Sequence, residues 1–267
     1  MTPCSTSVRA DPAEPTASFD PQRLGHAYDA PAVQEQRTRT RELLGARPGD
    51  RVLDLGCGPG HLTTELTAEL GADGRVVALD RKADMLAAAR TRAAGAGAAG
   101  RCEFALTDAT ALPLADRSCD GAVVVQVLEY VPDVARALAE LRRVLRPGGR
   151  AVLVDTDWRS CVWRTDDRDR TDAVLRSWEA HFVHPHLPTT LPGMAREAGF
   201  ASTELQAVPI VETESGTYSL AMAATIATFV GRREPDLAKA WRDDVRSHAD
   251  AGTYFFGLTR FAAVVTR

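Results

Sequence analysis

Residues 51–63 read Arg51-Val52-Leu53-Asp54-Leu55-Gly56-Cys57-Gly58-Pro59-Gly60-His61-Leu62-Thr63, a short apolar run that closes in an acid and meets three glycines at alternate positions. Val52, Leu53 and Leu55 have the character of a strand covered on both faces. Gly56, Gly58 and Gly60 let the backbone turn sharply and approach a ligand without Cβ clashes. Beyond them Leu62, Leu66 and Leu70 recur at the spacing of one helical face, so the turn opens a helix. Free amides at that helix N-terminus offer donors to an anionic or polar group. Two familiar cradles fail on spacing. A dinucleotide fingerprint needs glycine where His61 stands, and a P-loop needs a Gly-Lys-Ser/Thr ending.

Reading outward, residues 75–80 (RVVALD) form a second apolar run ending in an acid, with a helix over 82–94 and a small-residue loop at 95–100. Residues 102–106 read as a third strand. Thr107-Asp108-Ala109, Leu112-Pro113-Leu114 and Ser118-Cys119-Asp120-Gly121 follow, then a fourth strand at 120–125 and the loop Gln126-Val127-Leu128-Glu129-Tyr130-Val131-Pro132-Asp133. Val134, Leu138, Leu141 and Leu145 make a helical stripe that Arg146-Pro147-Gly148-Gly149 stops before a fifth strand at 150–155. These ordered motifs, spanning residues 51–158, resemble class I S-adenosylmethionine-dependent methyltransferases. Within that family they are similar to ubiquinone-biosynthesis-like small-molecule enzymes.

The resemblance implies an α/β, Rossmann-like sheet of seven strands, mostly parallel with the last antiparallel, flanked by helices. It also implies S-adenosyl-L-methionine as cofactor, with S-adenosyl-L-homocysteine as product. Carried onto this sequence, the family's donor site falls on Asp54, Gly56, Cys57, Gly58 and Gly60 of the turn. Asp80 would take the ribose hydroxyls, with Arg81 beside it and Met85 against the adenine face. Asp108 and the Ala109 amide would meet the adenine edge, and Gln126 would lie at the fourth strand's end, where the methyl faces the acceptor. Cys57 needs to be small there and reads as packing.

Composition narrows the partners. The 267 residues with 45% hydrophobic content suit one large α/β domain, and the net charge of −4 gives no basic field for nucleic acid or anionic membrane. Nor does an Asn-Pro-Pro-Tyr/Phe-like base-flipping motif follow the fourth strand. A small-molecule acceptor in a bacterial, cytoplasmic setting is therefore expected. The predominance of arginine over lysine (Lys82 and Lys239 only) and the many alanines point to a GC-rich genome. Cys4, Cys57, Cys102, Cys119 and Cys161 show no paired spacing, so neither a disulfide framework nor a metal site is signalled. No apolar run approaches the roughly 20 residues that span a bilayer. Residues 1–21 read as a flexible tail and 22–267 as the catalytic domain, with a core at 46–158.

Outside that core the reading is less specific. Residues 33–44 suggest an exposed helix, 159–170 a solvated loop and 171–182 a helix. A short helix at 191–198, a sixth strand at 204–211, helices at 217–230 and 237–249, and a strand at 253–265 on the sheet edge complete the chain. Segments 22–45 and 214–250 would form a helical lid that excludes water. His181, His184 and His186 cluster around Pro185, a spacing more suited to a general base or helix caps than to a metal. Tyr28, Glu129 and His181 are the expected catalytic residues, orienting an aromatic or indole-like natural-product acceptor and removing its proton. A non-catalytic donor-binding subunit and an arsenite methyltransferase, which relies on several thiolates, are the alternatives.

Overall fold

A computed structural model describes residues 28–214 and 216–267. The expected tail and the start of the N-terminal lid segment lie outside them. In chain order the elements are α1 (Pro31–Leu44), β1 (Arg51–Leu55), α2 (His61–Glu69), β2 (Arg75–Asp80), α3 (Ala83–Gly95), β3 (Cys102–Leu106), β4 (Cys119–Val125), α4 (Val134–Val144) and β5 (Leu145–Thr156). Then come β6 (Val162–Trp163), α5 (Arg168–Glu179), α6 (Leu191–Glu197), β7 (Ser202–Glu212), α7 (Thr217–Val230), α8 (Pro235–Asp250) and β8 (Phe256–Thr266).

Five parallel strands run in the order β3-β2-β1-β4-β5, and β8 pairs antiparallel with β5. The order reverses between β1 and β4, and such a switch point opens a crevice at the strand C-ends. Val52, Val76, Val123 and Val152 face the helix α2, where Leu62 and Leu66 pack on them. Leu53, Leu79, Val124 and Leu153 face the other way, onto the Leu138 and Leu141 stripe of α4. This two-sided cover explains the continuous apolar runs. A third cluster joins Trp158, Trp163, Trp178, Trp241 and Phe256 with α5, α7 and α8.

Five expectations need correction. The sheet has eight strands among the described residues, because Val162 and Trp163 continue the line of β5 and pair with Gly257 and Phe256 of β8. The supposedly solvated 159–170 segment thus buries Cys161 and Trp163. The last strand is interior, flanked by β5 and by β7, which pairs with it from Ser202↔Thr266 to Glu212↔Phe256. Its buried run Ala262-Ala263-Val264-Val265 needs cover from both neighbours, whereas β7 alternates exposed residues and carries Pro209, as an edge strand tolerates.

Helix α1 is also less exposed than its charges imply. Val33, Gln36, Arg37, Thr40 and Leu44 are buried, and Arg37 and Arg41 pair with Glu65 of α2. Finally, α5 begins at Arg168 because the Asp167 carboxylate caps the Arg170 amide, and it ends at Glu179, leaving His181 and Phe182 outside the helix. The two helices expected between the last long strands are present as α7 and α8.

Candidate functional site

The glycine turn is fixed by hydrogen bonds to the neighbouring strand: the Gly56 and Cys57 amides donate to the Leu79 carbonyl at 2.7 and 3.0 Å. Gly56 and Gly60 have φ of +74° and +82°. A Cβ at Gly56 would overlap Val127, and one at Gly60 would stand 2.8 Å from the backbone of Ala89. Gly58 differs, since nothing lies within 4 Å of where its Cβ would be. The first and third glycines therefore serve close packing, and the middle one leaves open space over the turn.

Two carboxylates anchor this turn. Asp54, buried at the end of β1, accepts from the Thr63 hydroxyl at 2.5 Å and so ties the strand to the first turn of α2. Burial pushes its carboxyl up to about 7 against the lowering effect of that hydrogen bond. Asp80 accepts from the Gly58 amide and the Lys82 amide, both at 2.9 Å. A carboxylate has about four lone-pair sites, and these two hydrogen bonds, one to each oxygen, are the ones made by the described residues. Asp108 accepts through Oδ1 from the Thr110 amide at 2.8 Å and its hydroxyl at 2.6 Å. Those bonds hold its carboxyl below the usual range, and exposed Arg81 adds to the effect. Ala109 and Met85 are buried beside these strand ends.

Above the turn lies a small cleft, partly open to solvent. Asp54, Gly56, Cys57, Gly58, Gln126 and Tyr28 line it; Gly60, Asp80, Arg81, Met85, Asp108 and Ala109 lie outside its lining. Tyr28 is held there because its carbonyl accepts from the Arg37 guanidinium at 2.6 Å. Its ring meets His61 at 5.3 Å. Burial, with Arg92 and Arg37 nearby, lowers His61 to about 4, which keeps it neutral near pH 7.

Gln126 adopts a left-handed φ of +55°, uncommon without a glycine and typical of functional turns. Its Oε1 accepts from Thr156 at 3.0 Å, and its buried Nε2 has no hydrogen-bond partner among the described residues. Arg260, from β8, donates to Gln36 and, at 2.7 Å, to the Tyr218 hydroxyl, while its Nε is likewise buried and unsatisfied. Both residues line the cleft.

Behind the cleft two acids are buried. Glu129, 1% exposed, accepts from the Trp158 indole at 3.1 Å, and its carbonyl receives the Val183 and His184 amides. Burial pushes it up to about 8, with Trp158 and Arg260 opposing. Asp155 accepts the Glu129 amide at 3.4 Å and is raised well above the carboxylate range by burial and by Glu129. His181 stacks on Trp178 at 4.4 Å and meets Phe182, Phe229 and Tyr130 edge-on. Burial lowers it to about 4.

The expected trio is thus only partly assembled. Tyr28 lines the cleft, whereas Glu129 and His181 lie outside its lining. Tyr130 adjoins two of them: it follows Glu129 and its ring is 5.6 Å from His181, while burial, then Glu129 and Tyr28, raise its hydroxyl. The other two histidines diverge, His184 to the Val131 carbonyl and His186 to Asp157. Sequence reasoning missed Tyr130, Asp155, His61, Gln36, Tyr218 and Arg260. Two of them carried signals, since Asp155 ends an apolar run as Asp54 and Asp80 do, and Arg260 is a charge inside an apolar strand.

The open space at Gly58 and the Asp80 carboxylate beside it fit a polar nucleoside-like ligand such as S-adenosylmethionine. Comparison with known proteins agrees. The methyltransferase domain family matches residues 53–153. An uncharacterized 37.1 kDa protein in a transposon of Streptomyces fradiae is 34% identical over 87% of this chain and 67% of its own. Demethylmenaquinone methyltransferase of Symbiobacterium thermophilum is 30% identical over 70% of this chain and 78% of its own. Other quinone methyltransferases, 40 to 41% identical, are matched over 47% of their length, so the chain spans about half of those relatives. The phosphoethanolamine N-methyltransferase 2 of Haemonchus contortus, solved with S-adenosyl-L-methionine, shares the fold, with a TM-score of 0.61 and 16% identity over 94% of this chain and 58% of that one. The chain belongs to the class I S-adenosylmethionine-dependent methyltransferase family.

Proposed function

We propose that this chain methylates a small molecule, an aromatic or indole-like natural-product intermediate. The observation that carries the reading is the cleft over the glycine turn, bordered by the C-ends of β1 and β4 and by Arg260 of β8. S-adenosylmethionine, when bound, supplies a methyl group made electrophilic by its sulfonium. Asp80, Asp108 and the Gly58 region hold its nucleoside end, and Gln126 borders the acceptor side. Tyr28 orients the acceptor, α1, α7 and α8 exclude water, and most of the rate enhancement comes from positioning. Tyr130, Trp158, Trp178 and Phe182 belong to the aromatic core beyond the cleft, and none of them lines it.

Proton removal falls to Glu129, whose carboxylate oxygen would take it, with His181 as a neutral imidazole able to do the same. Burial raises the thiols of Cys57, Cys119 and Cys161, the opposite of what thiolate ligands for arsenite chemistry need. A donor-binding chain without transfer is a second reading, favoured by the placement of Glu129 and His181 outside the cleft lining.

The test is transfer of labelled methyl to a panel of phenols, indoles and quinols by the wild type and by Tyr28→Phe, Glu129→Gln and His181→Ala. Turnover with one acceptor class, reduced at least tenfold in one or more variants, supports the proposal. Full turnover in all three removes the assigned roles, and no transfer to any acceptor by a donor-binding protein favours the second reading.

A further inference from the structure

Away from the cleft, the loop before α5 meets the C-terminal half of α8. Asp244 and His248 lie one turn apart on α8, and Asp166 comes from the loop. His248 Nε2 is 3.2 Å from Asp166 Oδ1 and 3.7 Å from Asp244 Oδ1, and one ligand atom from each of the three residues lies within 4.8 Å of the others. Tetrahedral coordination with Zn–N and Zn–O bonds of about 2.0–2.1 Å sets neighbouring ligand atoms about 3.3 Å apart. The observed spacings bracket that figure.

A second, independent observation concerns His248 itself. The residue is 8% exposed, and its Nε2 is buried without a hydrogen-bond partner among the described residues, although two carboxylates face it. Nδ1 lies 2.8 Å from the Thr253 hydroxyl. When Nδ1 donates that hydrogen bond, Nε2 turns a lone pair toward two carboxylates, and a cation between them would satisfy all three groups. The ligands are also oriented from outside. Thr253 fixes the imidazole, and the Asp166 and Asp167 amides donate to the two oxygens of Asp244 at 3.1 and 3.3 Å, as second-sphere partners of metal ligands do. The adjacent cation, Arg170, faces Asp244 Oδ2 and Asp167 Oδ2, leaving the His248 side of Asp244 to another charge.

We infer that Asp166, Asp244 and His248 bind one divalent transition cation of the Zn²⁺ type, with water completing its coordination. One imidazole and two carboxylates suit such an ion. Asp166 is exposed, which gives the ion an entry path, and the site would clamp the loop before α5 onto α8. No local spacing signalled it, because Asp166 and Asp244 are far apart in sequence.

The test uses the full chain, stripped with chelator and desalted, titrated with ZnCl₂ by calorimetry and with CoCl₂ by visible absorption, with Tm measured in parallel. One-to-one saturable binding, visible Co²⁺ ligand-field bands and a metal-dependent rise in Tm are expected. Asp166→Asn changes an exposed side chain and should fold normally while weakening affinity by roughly tenfold or more. His248→Gln, if folded, should abolish the bands. Absence of one-to-one binding overturns the inference, as does equal affinity in Asp166→Asn. A Tm that does not respond to metal also overturns it.

Discussion

At the scale of single residues, the three glycines of the turn answer to different constraints. Gly60→Ala places a methyl 2.8 Å from the Ala89 backbone at a φ of +82°, with nothing flexible to yield. Gly58→Ala meets open space, and its φ of +52° is the left-handed region that costs a side chain about 1–2 kcal/mol. Urea unfolding should therefore show Gly60→Ala as the more destabilised by a clear margin, with Gly58→Ala folded but poorer at donor binding. Equal losses of stability would contradict this division.

Glu129 makes a pH prediction whose sign follows from its burial. Its carboxyl is raised from 4.5 to about 8, so the unfolded chain releases this proton first and the folded chain holds it. Its contribution to stability is complete below about pH 4.5 and is lost as pH rises toward 8. Turnover that uses Glu129 as base should climb over the upper part of the same range. Glu129→Gln should flatten both profiles, and a Tm–pH curve unchanged by the substitution would show that Glu129 is not the group responsible.

Among these residues, those repeated in a local pattern were legible in the sequence. Asp54, Gly56, Gly58, Gly60 and Asp80 sit within single strand-turn-helix units, where alternation and spacing report directly on geometry. Arg260, Gln36 and Tyr218 were not legible, because their contact joins a strand, the first helix and α7, and only tertiary packing brings them together.

At the scale of elements, the sheet from β1 to β5 follows from its apolar runs, while the region after β5 depends on packing among aromatic residues. Trp163 meets Trp241 edge-on at 5.3 Å and Phe256 at 4.6 Å, joining β6, α8 and β8. A two-residue strand leaves no periodicity to read, and the charges around it suggest a loop. The interior position of β8 is likewise decided by which neighbours cover it. Trp241 is fully buried, so Trp241→Ala should cost about 3–5 kcal/mol and loosen α7 and α8 together. Hydrogen exchange should show the loss of protection in both helices, with β1 to β4 least affected. Loss confined to α8 would mean that the two helices do not act as one unit.

For the whole molecule, the switch point between β1 and β4 places the glycine turn, Asp80 and Gln126 at one end of the sheet, and α1 and β8 bring Tyr28 and Arg260 to the same cleft. Among the described residues no helix is long and apolar enough to cross a membrane. The central claim is that this end of the sheet holds the methyl donor. The most direct test is calorimetric titration of the wild type and Asp80→Ala, each checked for folding by circular dichroism, with S-adenosylmethionine and S-adenosylhomocysteine. The account predicts saturable one-to-one binding of both ligands to the wild type and a loss of at least tenfold in affinity for Asp80→Ala. A folded wild type that binds neither ligand, or an Asp80→Ala variant that binds both as tightly, would contradict it.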